Sequence, residues 1–582
     1  MNSNTPKFDQ AIQQYFAGLE LDKKGGQWRT CRFSGEKFYV RPEDVKFYRK
    51  ISVPLPTLSP LERWRRKLAF APGYQFFKVR SAHTGKEVIS VYPANTPFKI
   101  CEHEIWFSDQ WEPLSYGKVP DAEQPFFDQF RELQREVPRP NLNNDSSNVN
   151  SEYTNSSMHL KNCYVTFDSV YGEDLYYFEC CTNNKNCMDC WACLSADSCY
   201  GSHGTKIFKC SFCYWTENSI KSYFLFDCKS CEYCFMCSNL RNKKYCFSNQ
   251  QLSKEEYEKK IREINLGNYE ELQKYLRDFQ ELRRNAIKKN IYGEKWVNSV
   301  GSWMVNVKDC YFVLFAYESE GVCYSLGFLG ARDSYDVLGG TNMELCYEFL
   351  AISAENNYGI KFSHTTNNSR DLEYCDSCFS CHDCFGCVGL RNKSFCVFNK
   401  QYSPEEYWRV VDLLKTHMLG RGEYGEFFPP ALAPFPYNAS LTTAYPGFED
   451  LEKAKQDGYW IESAPDDASV ETSLPMLRAS ELPLDIKDVD DSILQKVILD
   501  EEHNKKFRIV PFELAFYRKY NLPLPRVHPF IRMAQWRKDM DLRPQFWEVP
   551  CAKCGKVVPT MYDPARGEKN IYCEPCYNAK VA

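Results

Sequence analysis

The chain has 582 residues, 43% of them hydrophobic and 26% charged, with a formal net charge of −5. That length implies several cores, and that charge excludes a globally basic nucleic-acid binder. The 29 cysteines would mean a disulfide scaffold in a small secreted domain, but MNSNTPKFDQ has no signal pattern and no apolar run approaches a bilayer span, so a cytoplasmic protein with reduced or metal-bound thiols is expected.

From the N-terminus, FYVRPEDVKFYRKISVPLPTLSP at 38–60 recurs as FRIVPFELAFYRKYNLPLPRVHP at 507–529. KVRSAHTGKEVISVYP at 78–93 recurs as EVPCAKCGKVVPTMYD at 548–563. The two ends are therefore related α+β modules: a degenerate zinc-ribbon-like one over 1–137 and a zinc-ribbon one over 496–582. Arg63, Arg65 and Arg66 flank Trp64, and Arg283 and Arg284 sit on a later helix. Such groups can meet phosphates while aromatics stack on bases, so nucleic acid stays open as a partner. The bland alternative is a set of solvated helix faces.

Residues 138–160 are polar and read as a linker. Beyond them, CEYCFMCSNLRNKKYC at 231–246 recurs as CHDCFGCVGLRNKSFC at 381–396, an offset of 150, whereas KNCY at 161–164 recurs as KDCY at 308–311, an offset of 147. A short insertion separates the two registers. Cysteines also recur at 18: Cys163, Cys181 and Cys199; Cys210, Cys228 and Cys246; Cys213 and Cys231, ending in Asn249; and, in the second copy, Cys378 with Cys396 and Cys381 with Asn399. A period this short predicts stacked coils, each of three short strands, with thiols pointing inward. The expected fold is thus mainly β, with two cysteine-lined, β-helix-like β-solenoids over 161–251 and 298–402. CxxC runs at 228–237 and 375–387 also resemble iron–sulfur ligand patterns, and CFSCH at 378–382 matches the haem c attachment pattern. The 18-residue columns favour packing thiols, because cluster ligation does not require them.

LSKEEYEKKI and YSPEEYWRVV follow the two copies, and Ser253 with Glu256 and Ser403 with Glu406 form capping boxes. A helical linker or cap over 252–297 and a capping helix over 403–418 should cover the last coils. Residues 419–495, with acids in PDDASVE and DIKDVDD, read as an extended linker. At the C-terminus, Cys551, Cys554, Cys573 and Cys576 stand as two CxxC pairs 18 residues apart, the spacing of a structural site for one zinc ion. The matching positions of the N-terminal module are Ser81, Thr84, Cys101 and Glu104.

On CRFSGEKFYVRPEDVKFYRKISVPLPTLSPLERWRR at 31–66, and on the CxxCxGLRNK and NKQYSxEEY phrases at 384–407, the chain resembles uncharacterised cysteine-rich proteins of candidate-phyla bacteria with probable zinc-ribbon modules. The ribbon family's four cysteines fall here on Cys31, Ser34, Ser59 and Glu62, and in the C-terminal copy His503 and His528 occupy two of those places. The resemblance implies no zinc at either set and brings no established activity. No P-loop, GxSxG, HExxH or GxGxxG is present. The expectation is a monomeric, non-enzymatic binding or scaffold protein with a protein or ribonucleoprotein partner and no membrane. An RNA- or ribosome-associated factor and an iron–sulfur or redox enzyme are the alternatives.

Overall fold

The structure, a computed structural model, describes residues 4–180, 182–350, 355–462, 473–540, 543 and 545–581. Cys181 of the first thiol column and all of the PDDASVE acids lie outside the described residues. Those described form a mostly sheet protein with thirty-five strands and twelve helices, and no closed barrel is found among them. No described helix is long and apolar enough to cross a membrane.

The central region forms two parallel ladders. In the first, Tyr164 pairs with Tyr176, then the line runs through Met188, Tyr200, Ser211, Tyr223, Phe235 and Phe247. Each step is 12 residues, except 11 between Tyr200 and Ser211. The second ladder runs from Val300 through Tyr311, Cys323, Tyr335, Tyr347, Lys361, Glu373 and Phe385 to Val397. Its step from Tyr347 to Lys361 is 14, where the first copy has 11. That three-residue difference is the insertion separating the offsets of 147 and 150.

The expected 18-residue coil is therefore corrected to a 12-residue step. Through most of both ladders every third residue takes a left-handed φ near +50°, as at Phe212, Trp215, Asn218, Lys221 and Phe224. Between these corners one residue in three points inward, which leaves cysteine spacings that are multiples of three. Eighteen is such a multiple but amounts to one and a half steps, so Cys210 and Cys228 are not ladder neighbours. The left-handed corners carry a strain of about 1–2 kcal/mol each for non-glycine residues, offset by inter-step hydrogen bonds such as Tyr223 N–H to Cys234 C=O, 2.9 Å, and Phe224 N–H to Ser211 C=O, 3.0 Å.

The interiors explain the cysteines. Cys187, Cys193, Cys210, Cys228, Cys231, Cys234 and Cys237 are fully buried with Leu175, Phe178 and Leu225, and the second ladder is lined in the same way. Each of these seven thiols sits against two carbonyls, those of residues two before and nine after it, as do Cys375, Cys378, Cys384 and Cys387 of the second ladder. Cys228 donates to Phe226 at 3.5 Å or Cys237 at 3.7 Å, and Cys378 to Asp376 at 3.6 Å or Cys387 at 3.7 Å. A small apolar side chain with a weak donor meets the demand of a narrow interior lined with peptide groups. Inward serines donate to the carbonyl two before, as Ser219 Oγ to Glu217 at 3.0 Å, and also accept from the next step, as Cys231 N–H to Ser219 Oγ at 3.2 Å. Asn249 and Asn399 close the ladders by pairing their amides with the backbone of Ser238 and Val388.

Both capping boxes form, on helices Lys254–Arg262 and Pro404–Gly420. Tyr257 and Tyr407 lay them against Tyr245 and Phe395 of the last steps. The expected linkers are structured. Within 138–160, Arg139–Pro140 pairs with Ile100–Cys101, and Thr154–Asn155 and Met158–Lys161 already belong to the first ladder. The second ladder starts at Gly293–Val297, inside the expected helical linker. In 419–495, Tyr424, Phe427 and Phe428 are buried in the main core.

The terminal modules pack crosswise. Helices Pro42–Lys50 and Pro60–Leu68 of the first module lie on the second ladder, where Arg63 Nε meets Asp336 at 3.0 Å and Tyr324 OH donates to Asp44 at 2.8 Å. Helices Pro511–Tyr520 and Pro529–Met540 of the last module lie on the first ladder, where Arg532 Nε meets Asp189 at 3.0 Å and Tyr177 OH donates to Glu513 at 3.2 Å. The partners correspond one to one under the two duplications, so the molecule has an internal pseudo-twofold arrangement.

Candidate metal centre

The C-terminal module brings Cys551, Cys554, Cys573 and Cys576 together. Their four Sγ atoms lie within 4.8 Å of one another, with Cys554 and Cys573 at 3.7 Å. Four thiolates at about 2.3 Å around a tetrahedral zinc ion would stand roughly 3.8 Å apart, so the donor set fits such an ion. Among the described residues no other three potential ligand atoms gather this closely.

Local chemistry builds the site. Strands Trp547–Pro550 and Val557–Thr560 form a hairpin whose turn is a knuckle: Cys551 N–H donates to Lys556 C=O at 2.8 Å, and Gly555 N–H to Cys551 C=O at 2.9 Å. Gly555 has φ +75°, a conformation that favours glycine. Strand Ile571–Tyr572 and helix Glu574–Val581 bring the other pair, and Ala552 N–H to Ile571 C=O at 2.9 Å ties the halves. Cys573 N–H donates to Cys551 Sγ at 3.3 Å. Burial pushes the Cys551 thiol up, but N–H groups of Cys554, Cys573 and Lys553 outweigh it and bring it down to about 6. That favours a thiolate at Cys551, while hydrogen bonding to the Cys573 thiol, followed by burial, pushes Cys576 up to about 12. Cys551 and Cys573 are buried, Cys576 half-buried and Cys554 exposed.

The same knuckle recurs without its thiols. Ser81 N–H donates to Lys86 C=O at 2.8 Å, Gly85 N–H to Ser81 C=O at 3.0 Å, and Gly85 has φ +73°. The expected third and fourth members, Cys101 and Glu104, are corrected to Glu102 and Ile105, because Ile100–Cys101 takes the place of Ile571–Tyr572, each pairing in parallel with the segment that leads into a ladder. Glu102 accepts from Ser81 Oγ at 2.5 Å and from Thr84 Oγ1. Burial raises its carboxyl, and the two hydroxyls overcome this and hold it below the usual range. A hydrogen-bonded Ser–Thr–Glu cluster thus closes the first module's knuckle. A third copy at Cys31 repeats the turn, with Gly35 at φ +71°, and a fourth spans Asp500 and His503. There Asp500 lies 3.0 Å from His503 Nδ1 and accepts from His528 N–H at 2.9 Å. His503 and His528 border a cavity of about 290 Å³ with Phe76, Phe77, Phe530 and Lys538.

The basic residues fall elsewhere. Arg63, Trp64, Arg65 and Arg66 are at most 3% exposed. Arg66 forks onto Glu348 at 2.8 and 2.9 Å, and Arg65 pairs with Glu62 and Asp457. Their reading as a phosphate-contacting surface is corrected: these guanidiniums neutralise carboxylates in the module–ladder interface. Arg283 lies over the Tyr214 ring at 4.0 Å, while Arg284 is exposed. The signal that could have separated buried from free arginines is the duplication itself, which puts Arg532 at the place of Arg63 and Asp189 at that of Asp336. No family model, curated protein or solved structure matches the chain.

Proposed function

We propose that this chain is a non-enzymatic binding or scaffold protein, in which two thiol-lined β-solenoids of four-sided, 12-residue turns are held by ribbon modules, one carrying a single structural zinc ion. The observation that carries this reading is the disposition of the thiols. Those of the ladders face inward and hydrogen-bond to carbonyls, which supports packing over iron–sulfur ligation. The C-terminal four present a closed, all-thiolate donor set, which suits zinc and leaves no open position for catalysis. Kinship with the cysteine-rich ribbon proteins is supported by the knuckle turn recurring at Cys31, Ser81 and Cys551. The outer faces of the ladders supply regular rows of side chains for a protein or ribonucleoprotein partner, and the paired halves suit a monomer.

Elemental analysis of the purified protein tests this reading. One zinc and no iron per chain is the expected result, whereas iron in stoichiometric amount, with charge-transfer absorption in the visible, would overturn it. A second reading, an RNA-associated factor, is favoured by one surface of the first ladder.

A further inference from the structure

We propose that the outer face of the first ladder between Thr205 and Tyr245 binds single-stranded nucleic acid. This deepens the binding-protein reading and rests on it. Within a chain of net charge −5, residues 205–245 carry six lysines, and the carboxylates on the same outer face are Glu217 and Glu232. All six lysines are exposed. Glu217 pairs with Lys229 at 2.8 Å and Glu232 with Lys244 at 2.9 Å. Lys206, Lys209 and Lys243 have no carboxylate partner among the described residues.

The ladder geometry concentrates this charge. Phe208 pairs with Ile220, so Lys209 and Lys221 occupy the same corner on adjacent steps, about 4.8 Å apart at the backbone. Like charges so placed oppose folding. Next in the same row stand Tyr233 and Tyr245, half-buried, with rings stacked at 5.3 Å and 22°. Lys221 Nζ donates to Tyr233 OH at 3.1 Å. In the neighbouring row Phe208 and Ile220 are each 37% exposed. Cations beside exposed aromatic rings on a rigid face suit phosphates and bases together.

The second ladder supplies an internal control. At the positions of Lys206, Lys209, Lys221 and Tyr233 it carries Asn356, Gly359, Asp371 and Asp383, on the same steps and with the same left-handed corners. The architecture thus does not require the lysines or the tyrosine. An acidic peptide could use the charge alone, but it gives the Tyr233 ring, which the second ladder replaces with Asp383, no role.

The test uses the full-length, metal-loaded protein and fluorescence anisotropy with labelled 12-mers of oligo-uridine RNA and oligo-thymidine DNA. Binding is expected, with a log–log salt slope of about −2 to −3 for three or four phosphates contacted. Lys209→Gly, Lys221→Asp and Tyr233→Asp together install the second ladder's own residues, so folding is retained, as circular dichroism and zinc content would verify. Affinity should fall at least tenfold, and Tyr233→Ala alone should lower it severalfold with little change in slope. Absent binding at 50 mM salt, binding unchanged in the triple variant, or equal competition by poly-glutamate would overturn the proposal. None of these outcomes alters the metal count, so a failure here is distinguishable from failure of the zinc and packing-thiol reading.

Discussion

Glu513 offers a direct measure of what the module–ladder interface holds back. It lies 1% exposed between Tyr177, Tyr517 and Arg532, and burial pushes its carboxyl up to about 7 from the ordinary 4.5, against the opposing pull of Arg532 and Tyr517. A raised carboxyl means that the folded chain holds this proton more tightly than the unfolded one. Stability therefore falls as pH rises from about 4.5 to about 7, and the penalty is complete above that range. That displacement corresponds to roughly 3 kcal/mol in full, most of which accrues between pH 5 and pH 8. Glu513→Gln keeps the shape and removes the titration. Relative to the unsubstituted protein, it should gain roughly 2–3 kcal/mol more at pH 8 than at pH 5. Equilibrium urea unfolding followed by tryptophan fluorescence at both pH values reads the difference. A pH dependence left unchanged by the substitution would refute the assignment of that penalty to Glu513.

Other expectations follow from the same contacts. Arg63→Met leaves Asp336 buried without its closest cation and should destabilise by about 3–5 kcal/mol, visible as a lowered unfolding midpoint; Arg532→Met should do the same through Asp189. Cys228→Ala opens a small void in the first ladder and should lower stability by about 1–2 kcal/mol, whereas exposed Arg284→Ala should change it by less than about 0.5 kcal/mol. If the quartet holds the proposed ion, Cys573→Ser should lower the metal content found by elemental analysis and increase hydrogen exchange at Lys288 and Lys289, whose strand pairs with Ile571–Tyr572. In the native protein a thiol reagent should leave Cys228, Cys231 and Cys378 unmodified until denaturant is added.

The metal quartet was legible because its ligands are set by local turn chemistry: a glycine after CxxC and a second CxxC at ribbon distance. The duplications were legible too, since they need only comparison of the chain with itself. The step length was not, because an inward residue every third position lets cysteines recur at any multiple of three, and hydrogen-bond register rather than spacing selects 12. Arg63 and Arg66 looked like surface charges because their carboxylates, Asp336 and Glu348, lie more than 270 residues away. The lysine-rich face escaped notice for the converse reason: Lys209 and Lys221 are separated in sequence and meet only when the steps stack.

The crosswise attachment of the modules also constrains how the protein is made. Arg63 must wait for Asp336, 273 residues downstream, and synthesis at about 5–20 residues per second makes that wait roughly 14–55 seconds. During this interval the helices meant for the second ladder expose Trp64 and Leu68, which are completely covered at the end. The first module thus stays undocked until the second ladder emerges, and a ribosome-bound nascent chain would need a chaperone, or its own first ladder, to shelter it.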